Sequence, residues 1–178
     1  MTDPSQLAAL VSAWPHDAKS RELVLMLLEY TPEPYSREQF TPGHMTATAC
    51  VLHPEGGRFL LVHHKRLDRW LFPGGHVEAE DMSIWDTARR EAVEETGVQL
   101  SLESPSLVGI DVHGIPGKRR EPYHLHHDLI FCFRATSDEF FVSEETRAVA
   151  WCSPGEFERY QLPASIRGCV GRAFHPLG

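Results

Sequence analysis

One stretch constrains this chain more than any other: residues 74–98, which read GGHVEAEDMSIWDTARREAVEETGV. Its second half places Glu91, Glu94 and Glu95 at positions i, i+3 and i+4. At about 3.6 residues per turn of α-helix these three carboxylates share one face. Like charges so spaced repel by roughly a few tenths of a kcal/mol per pair, and Arg90, four residues before Glu94, offsets only part of that. A hard divalent cation such as Mg²⁺ or Mn²⁺, which takes oxygen ligands, is the simplest reason to crowd them. The bland alternative is a solvated, salt-bridged helix face.

The ends of this helix are legible as well. Ser83-x-x-Asp86 resembles a capping box with Asp in place of the usual Glu. Gly97 supplies the stop, because glycine tolerates the left-handed conformation that closes a helix. Trp85, Ala88 and Ala92 form an apolar stripe beside the acidic one. Upstream, Phe72-Pro73-Gly74-Gly75 predicts a rigid turn that brings backbone close to the helix start.

These residues carry a resemblance to the Nudix hydrolases, whose signature is G-x5-E-x7-R-E-U-x-E-E-x-G-U with U aliphatic. Gly75 opens the pattern, and Arg90, Glu91, Glu94, Glu95, Gly97 and Val98 match its second half. Two departures stand out. Asp81 occupies the first Glu position, and eight residues instead of seven separate it from Arg90. The extra residue is expected in the loop before Ser83, leaving the helix phase intact. Ala92 is a small version of the aliphatic position. The resemblance implies an α+β fold, the Nudix α/β/α sandwich with a mixed β-sheet, over roughly residues 45–160. It further implies Mg²⁺ or Mn²⁺ held by the Gly74 carbonyl, Glu91, Glu94 and Glu95, with Arg90 orienting a carboxylate instead of touching substrate. A glutamate from a later loop adds a ligand or acts as base in many members, which by position points to Glu144 or Glu145. His44 to Ala47, Trp70 to Glu78 and Glu121 to Asp128 resemble a bacterial subgroup of the family, which implies no particular substrate.

A chain of 178 residues suits one sizeable core. The net charge of −8 argues against a general nucleic-acid or anionic-membrane binder, and it is awkward for an enzyme of phosphate esters unless cations screen the site. Cys50, Cys132, Cys152 and Cys169 have neither zinc-finger nor disulfide-framework spacing and read as reduced core thiols. With no apolar run of spanning length and no signal-like opening, the expectation is a cytoplasmic protein.

Residues 1–43 read as a helical extension and linker, and 44–178 as the Nudix domain. Asp3-Pro4 caps a first helix carrying Leu7, Leu10, Val11 and Trp14; a second, over 17–30, carries Leu23, Met26, Leu27 and Tyr30. Strands are predicted at 46–53, 58–64, 107–113, 125–134 and 148–152, and short helices from Pro154 and Pro163.

The remaining candidates are polar residues outside the motif. His124-x-His126-x-Asp128 alternates onto one strand face and suggests a substrate-lining surface, with a second metal site or a proton-transfer pair as the sharper reading. His76 follows the glycines and could reach phosphate. Lys118-Arg119-Arg120 is the only basic run; it is either a solvated turn or a clamp on substrate phosphates, with Arg119 and Arg120 as the binding candidates. The leading function is divalent-metal-dependent hydrolysis of a diphosphate linkage in a nucleoside diphosphate derivative or related small molecule, with a homodimer left open. A non-catalytic Nudix nucleotide-binding module competes with it, although such modules usually lose the glutamates. An isoprenoid diphosphate isomerase competes less well, because no cysteine lies between Cys50 and Cys132.

Overall fold

A computed structural model of the chain describes residues 3–118 and 120–175. The alternating and β-branched segments form seven strands: β1 (Gly43–Leu52), β2 (Phe59–His64), β3 (Arg69–Leu71), β4 (Gly74–His76), β5 (Ser106–Ile115), β6 (His124–Arg134) and β7 (Thr146–Cys152). They make one mixed sheet in the order β3-β2-β1-β6-β5, with β4 paired to β1 and β7 to β2. Among the described residues only β1 and β6 pair in parallel; Gly43 lies opposite Leu125 and the register holds to Leu52 opposite Arg134.

Helices cover both faces of the sheet, as the resemblance implied. Odd-numbered residues of β1 (Met45, Ala47, Ala49, Val51) pack in one apolar cluster with α1 (Pro4–Ser12), α2 (Ala18–Tyr30) and α3 (Ile84–Thr96). Cys50 and Leu52 face a second cluster formed with α4 (Ala164–Phe174), which supplies Ile166, Cys169 and Val170. A strand in the middle of a covered sheet must be apolar on both faces, which explains the near-continuous run of small and branched residues in β1.

The helical extension belongs to the main core, since Leu7, Val11, Val24 and Leu27 are fully buried in the first cluster. Asp17 fastens it: its carboxylate accepts from the Trp14 indole at 3.1 Å and from the Ile110 backbone N–H at 3.3 Å, and pairs with Arg172 of α4. The buried face of α2 is Val24, Leu27 and Leu28, while Met26 and Tyr30 are 56% and 73% exposed. The expected stripe was therefore rotated. Residues 23–28 are apolar all round, so spacing cannot say which side meets the sheet.

Ser83 caps α3, accepting from the Asp86 N–H at 3.2 Å, and Gly97 ends it at φ 67°. The glycines before it differ from expectation. Gly74 and Gly75 are not in a turn; they are extended residues of β4, opposite Thr48 and Ala47 of β1. A Cβ on Gly74 would meet Thr48 and the Ala47 carbonyl, and one on Gly75 would meet the Glu91 carboxylate. These positions need glycine for close approach, not for a special backbone angle.

Candidate active site

Helix α3 runs unbroken from Ile84 to Thr96, so the extra residue is absorbed in the loop 77–83 and the spacing of the glutamates is undisturbed. Glu91, Glu94 and Glu95 point from one flank of α3 and are graded in depth. Glu95 is 5% exposed, the Glu91 side chain 15% and the Glu94 side chain 58%. The two deeper carboxylates face β4, with Glu91 seated over Gly75.

Arg90 holds this flank together. Its Nε and Nη2 donate to the two Asp81 oxygens, each at 3.0 Å. Nη2 also donates to the His76 carbonyl at 2.9 Å, and Nη1 donates to Glu91 at 2.9 Å and to Glu94 at 3.1 Å. Asp81, the short stand-in at the first motif position, is buried and fully engaged. It accepts also from the Thr87 hydroxyl at 2.8 Å and the Glu78 N–H at 2.9 Å. Burial pushes its pKa up, but these bonds outweigh burial and hold it below the ordinary carboxylate value. Asp81 thus reaches Arg90 from the loop before α3 although its side chain is one methylene shorter than that of Glu.

Burial raises the pKa of Glu91, against the pull of Arg90. It raises Glu95 further, to about 8, reinforced by the neighbouring charges of Glu91 and Glu145 and opposed by the Gly74 backbone N–H. Glu95 Oε2 is buried without a hydrogen-bond partner. These observations form the test of whether a divalent cation suits the site. Two deep carboxylates are destabilised as anions, one oxygen is orphaned, the donors are hard oxygens, and a backbone strand lies too close for any side chain. A cation of the Mg²⁺ class matches this donor set.

Glu145 is brought close enough to act electrically on Glu91 and Glu95. Glu144 is exposed; its carbonyl accepts from Lys65 Nζ at 2.5 Å, and the Glu145 carbonyl accepts from the Lys65 N–H at 3.1 Å. The two glutamates therefore sit on a loop pinned to the end of β2.

His76, His124 and His126 come together one step further along the sheet, and His44 joins them. The His44 ring lies 5.1 Å from His76, 5.0 Å from His124 and 4.9 Å from His126. Arg37, Phe40, Arg66, Lys118 and Glu121 complete the walls of this recess. Asp128 is not a pocket group, in contrast to expectation: it is 7% exposed and accepts from the Thr46 hydroxyl at 2.9 Å across the parallel pair. Of the basic run, Lys118 lines the recess and Arg120 is exposed, while Arg119 lies outside the described residues. His44, Arg37 and Arg66 were missed because they arrive from other parts of the chain; only the pairing of His44 with His126 across β1 and β6 could have signalled the first, and nothing in the spacing marks the two arginines. A larger recess lies between Asp3-Pro4 and residues 32–36; proline-rich, it carries no cluster of catalytic groups.

A family model described as the NUDIX domain matches residues 43–170. A MutT-like protein of Streptomyces ambofaciens is 28% identical over 115 residues, covering 65% of this chain and 68% of that protein. A NUDIX-family hydrolase from Clostridium perfringens superposes with a TM-score of 0.54 at 20% identity, covering 74% of this chain and 93% of its own. An ADP-ribose pyrophosphatase from Streptococcus suis gives 0.54 at 18% identity, covering 75% and 93%. At these identities the solved structures show the shared fold. No helix among the described residues is long and apolar enough to cross a membrane. The family match over most of the chain, together with the Arg90–Glu95 helix against β4, places this chain in the Nudix hydrolase family.

Proposed function

We propose that this enzyme hydrolyses a diphosphate linkage in a nucleoside diphosphate derivative or a related small molecule, using Mg²⁺ or Mn²⁺. The observation that carries the reading is the orphaned, buried Glu95 oxygen beside Glu91 and the two glycines of β4. Glu91, Glu94, Glu95 and the Gly74 carbonyl would hold the cation, which when bound would supply charge neutralisation of the diphosphate and a more acidic water. Arg90, clamped by Asp81, keeps the glutamates in register and the His76 carbonyl fixed. Glu145, on the facing loop, accepts a proton or adds a ligand. The recess walled by Lys118 and the histidines takes the far end of the substrate, where positive and hydrogen-bonding groups orient an anion against a chain of net charge −8. Phosphoryl transfer depends mostly on positioning and charge neutralisation, so this small set of groups suffices.

The test is a phosphate-release screen over nucleoside triphosphates, nucleotide sugars, dinucleoside polyphosphates and capped RNA, with Mg²⁺ and with Mn²⁺. Turnover of at least one class is expected, and Glu94→Gln should lower kcat by about 100-fold or more while leaving the fold intact, because Glu94 faces solvent. A folded Glu94→Gln protein with wild-type turnover would overturn the assignment.

A further inference from the structure

Four imidazoles from three strands meet where β1, β4 and β6 begin or end. β1 and β6 are parallel with His44 opposite His126, which sets those rings side by side. His124, two residues earlier on β6, closes the group at 5.0 Å from His44 and 5.3 Å from His126.

Hydrogen bonds settle which nitrogen of two of these rings carries the proton. His44 Nδ1 lies 3.0 Å from the Gln39 carbonyl, and His124 Nδ1 lies 2.9 Å from the Pro122 carbonyl. A carbonyl only accepts, so each Nδ1 is protonated and each Nε2 presents a lone pair. His44 is fully buried, and its Nε2 has no hydrogen-bond partner. Leaving a buried acceptor unsatisfied is costly, so the arrangement calls for an occupant. Ligand nitrogens of His44, His124 and His126 all lie within 4.8 Å of one another.

We propose that His44, His124 and His126 form a transition-metal site, separate from the carboxylate flank of α3, that takes Zn²⁺ or an ion of similar softness. Zinc–nitrogen bonds of about 2.0–2.1 Å in tetrahedral geometry need nitrogens about 3.3 Å apart, so the rings would draw together around the ion from a spacing of up to 4.8 Å. Ligand chemistry separates the two sites: imidazoles suit zinc and its neighbours, carboxylates suit Mg²⁺ and Mn²⁺. The Nδ1–H to backbone carbonyl bonds are the outer contacts that hold metal-bound imidazoles in one tautomer and orientation. Asp128, tied to Thr46, is not a ligand, and His76 flanks the site at 5.0 Å from His126.

An anion alone fits less well. The Nδ1 atoms of His44 and His124 are taken up by backbone carbonyls, so the nitrogens left to turn inward are Nε2 atoms suited to a metal. Three protein ligands leave a fourth position open, as in zinc sites that bind a further group. Arg37, Arg66 and Lys118 on the rim would repel a bare dication, yet they favour an anionic fourth ligand such as a phosphate oxygen. The site does not depend on the hydrolase reading.

The experiment is calorimetric titration of metal-stripped, full-length protein with Zn²⁺ in excess Mg²⁺, with Co²⁺ absorption as a second readout. One Zn²⁺ per chain is expected, together with a visible Co²⁺ spectrum that Mg²⁺ does not displace. Glu94→Gln should bind Zn²⁺ as the wild type does, and His126→Ala, at a half-exposed position, should bind roughly 100-fold more weakly. Absence of Zn²⁺ binding, wild-type affinity in a folded His126→Ala protein, or loss of binding in Glu94→Gln would each overturn the proposal. If His126→Ala does not fold, the wild-type Co²⁺ spectrum decides: present and resistant to Mg²⁺ supports the site, absent or displaced refutes it.

Discussion

Replacing Asp81 with Ala removes the buried anchor of Arg90, and the structure sets the size of the effect. Losing one partner of a buried ion pair costs about 3–5 kcal/mol when the other is left alone. Arg90 is not left alone, because Glu91, Glu94 and the His76 carbonyl remain within 3.1 Å. Against that discount stand two further lost bonds, from the Thr87 hydroxyl and the Glu78 N–H, at about 1 kcal/mol each. The net expectation is a loss of about 3 kcal/mol. For a chain of this size about 2–4 °C of Tm accompanies each kcal/mol, so Tm should fall by about 6–12 °C. Asp81 titrates below its ordinary value in the folded protein. Its contribution is therefore present above the unfolded pKa and is lost as pH falls through the folded one, so wild type and variant should converge in acid. Thermal unfolding at neutral pH and near pH 3, followed by circular dichroism, measures both effects. A neutral-pH Tm within about 2 °C of wild type would show that the glutamates alone hold Arg90, and the reasoning would fail.

Glu95 predicts the opposite pH trend for the metal-free protein. Its folded pKa of about 8 lies above the ordinary 4.5, so the folded state keeps the proton better and stability falls as pH rises across that interval. Excess Mg²⁺ held at the proposed site should reverse the trend; urea midpoints at pH 5.5 and 8.5, with EDTA or Mg²⁺, that do not change would refute this. Neutralising Arg119 and Arg120 together should raise KM more than it lowers kcat, because such contacts hold ground and transition states alike. An unchanged KM on the best substrate would make that loop a solvated turn.

What the sequence disclosed was local. Ser83 and Gly97 act within one turn of α3, so they could be identified without the rest of the molecule. The glycines of β4 could be noticed but not understood, because their reason lies in Thr48 and Glu91, reached only through the sheet and α3. The α2 face was misplaced because residues 23–28 are uniformly apolar; the exposed Glu22 and Glu29 at its ends share the side of Met26 and Tyr30 and were the signal that went unused. His124 and His126 declared themselves by alternation, but Asp128, the third member of that pattern, serves Thr46 instead of the pocket. His44 takes its place, and no spacing within β6 could announce a residue of β1.

The parallel pairing of β1 with β6 also governs when the site can exist. Partners such as Thr46 and Asp128 are 82 residues apart, and closing a loop of that length costs about 4 kcal/mol of chain entropy before any contact repays it. Such long-range pairing is slow compared with helix formation. On the ribosome, α3 can coil as soon as it emerges, with its glutamates in water. The strand that brings His124 and His126 to His44 is complete only when Arg134 has been added, well after Thr96 has completed α3. Until then the carboxylate helix has only part of its sheet to dock on, and the histidine recess has only one wall.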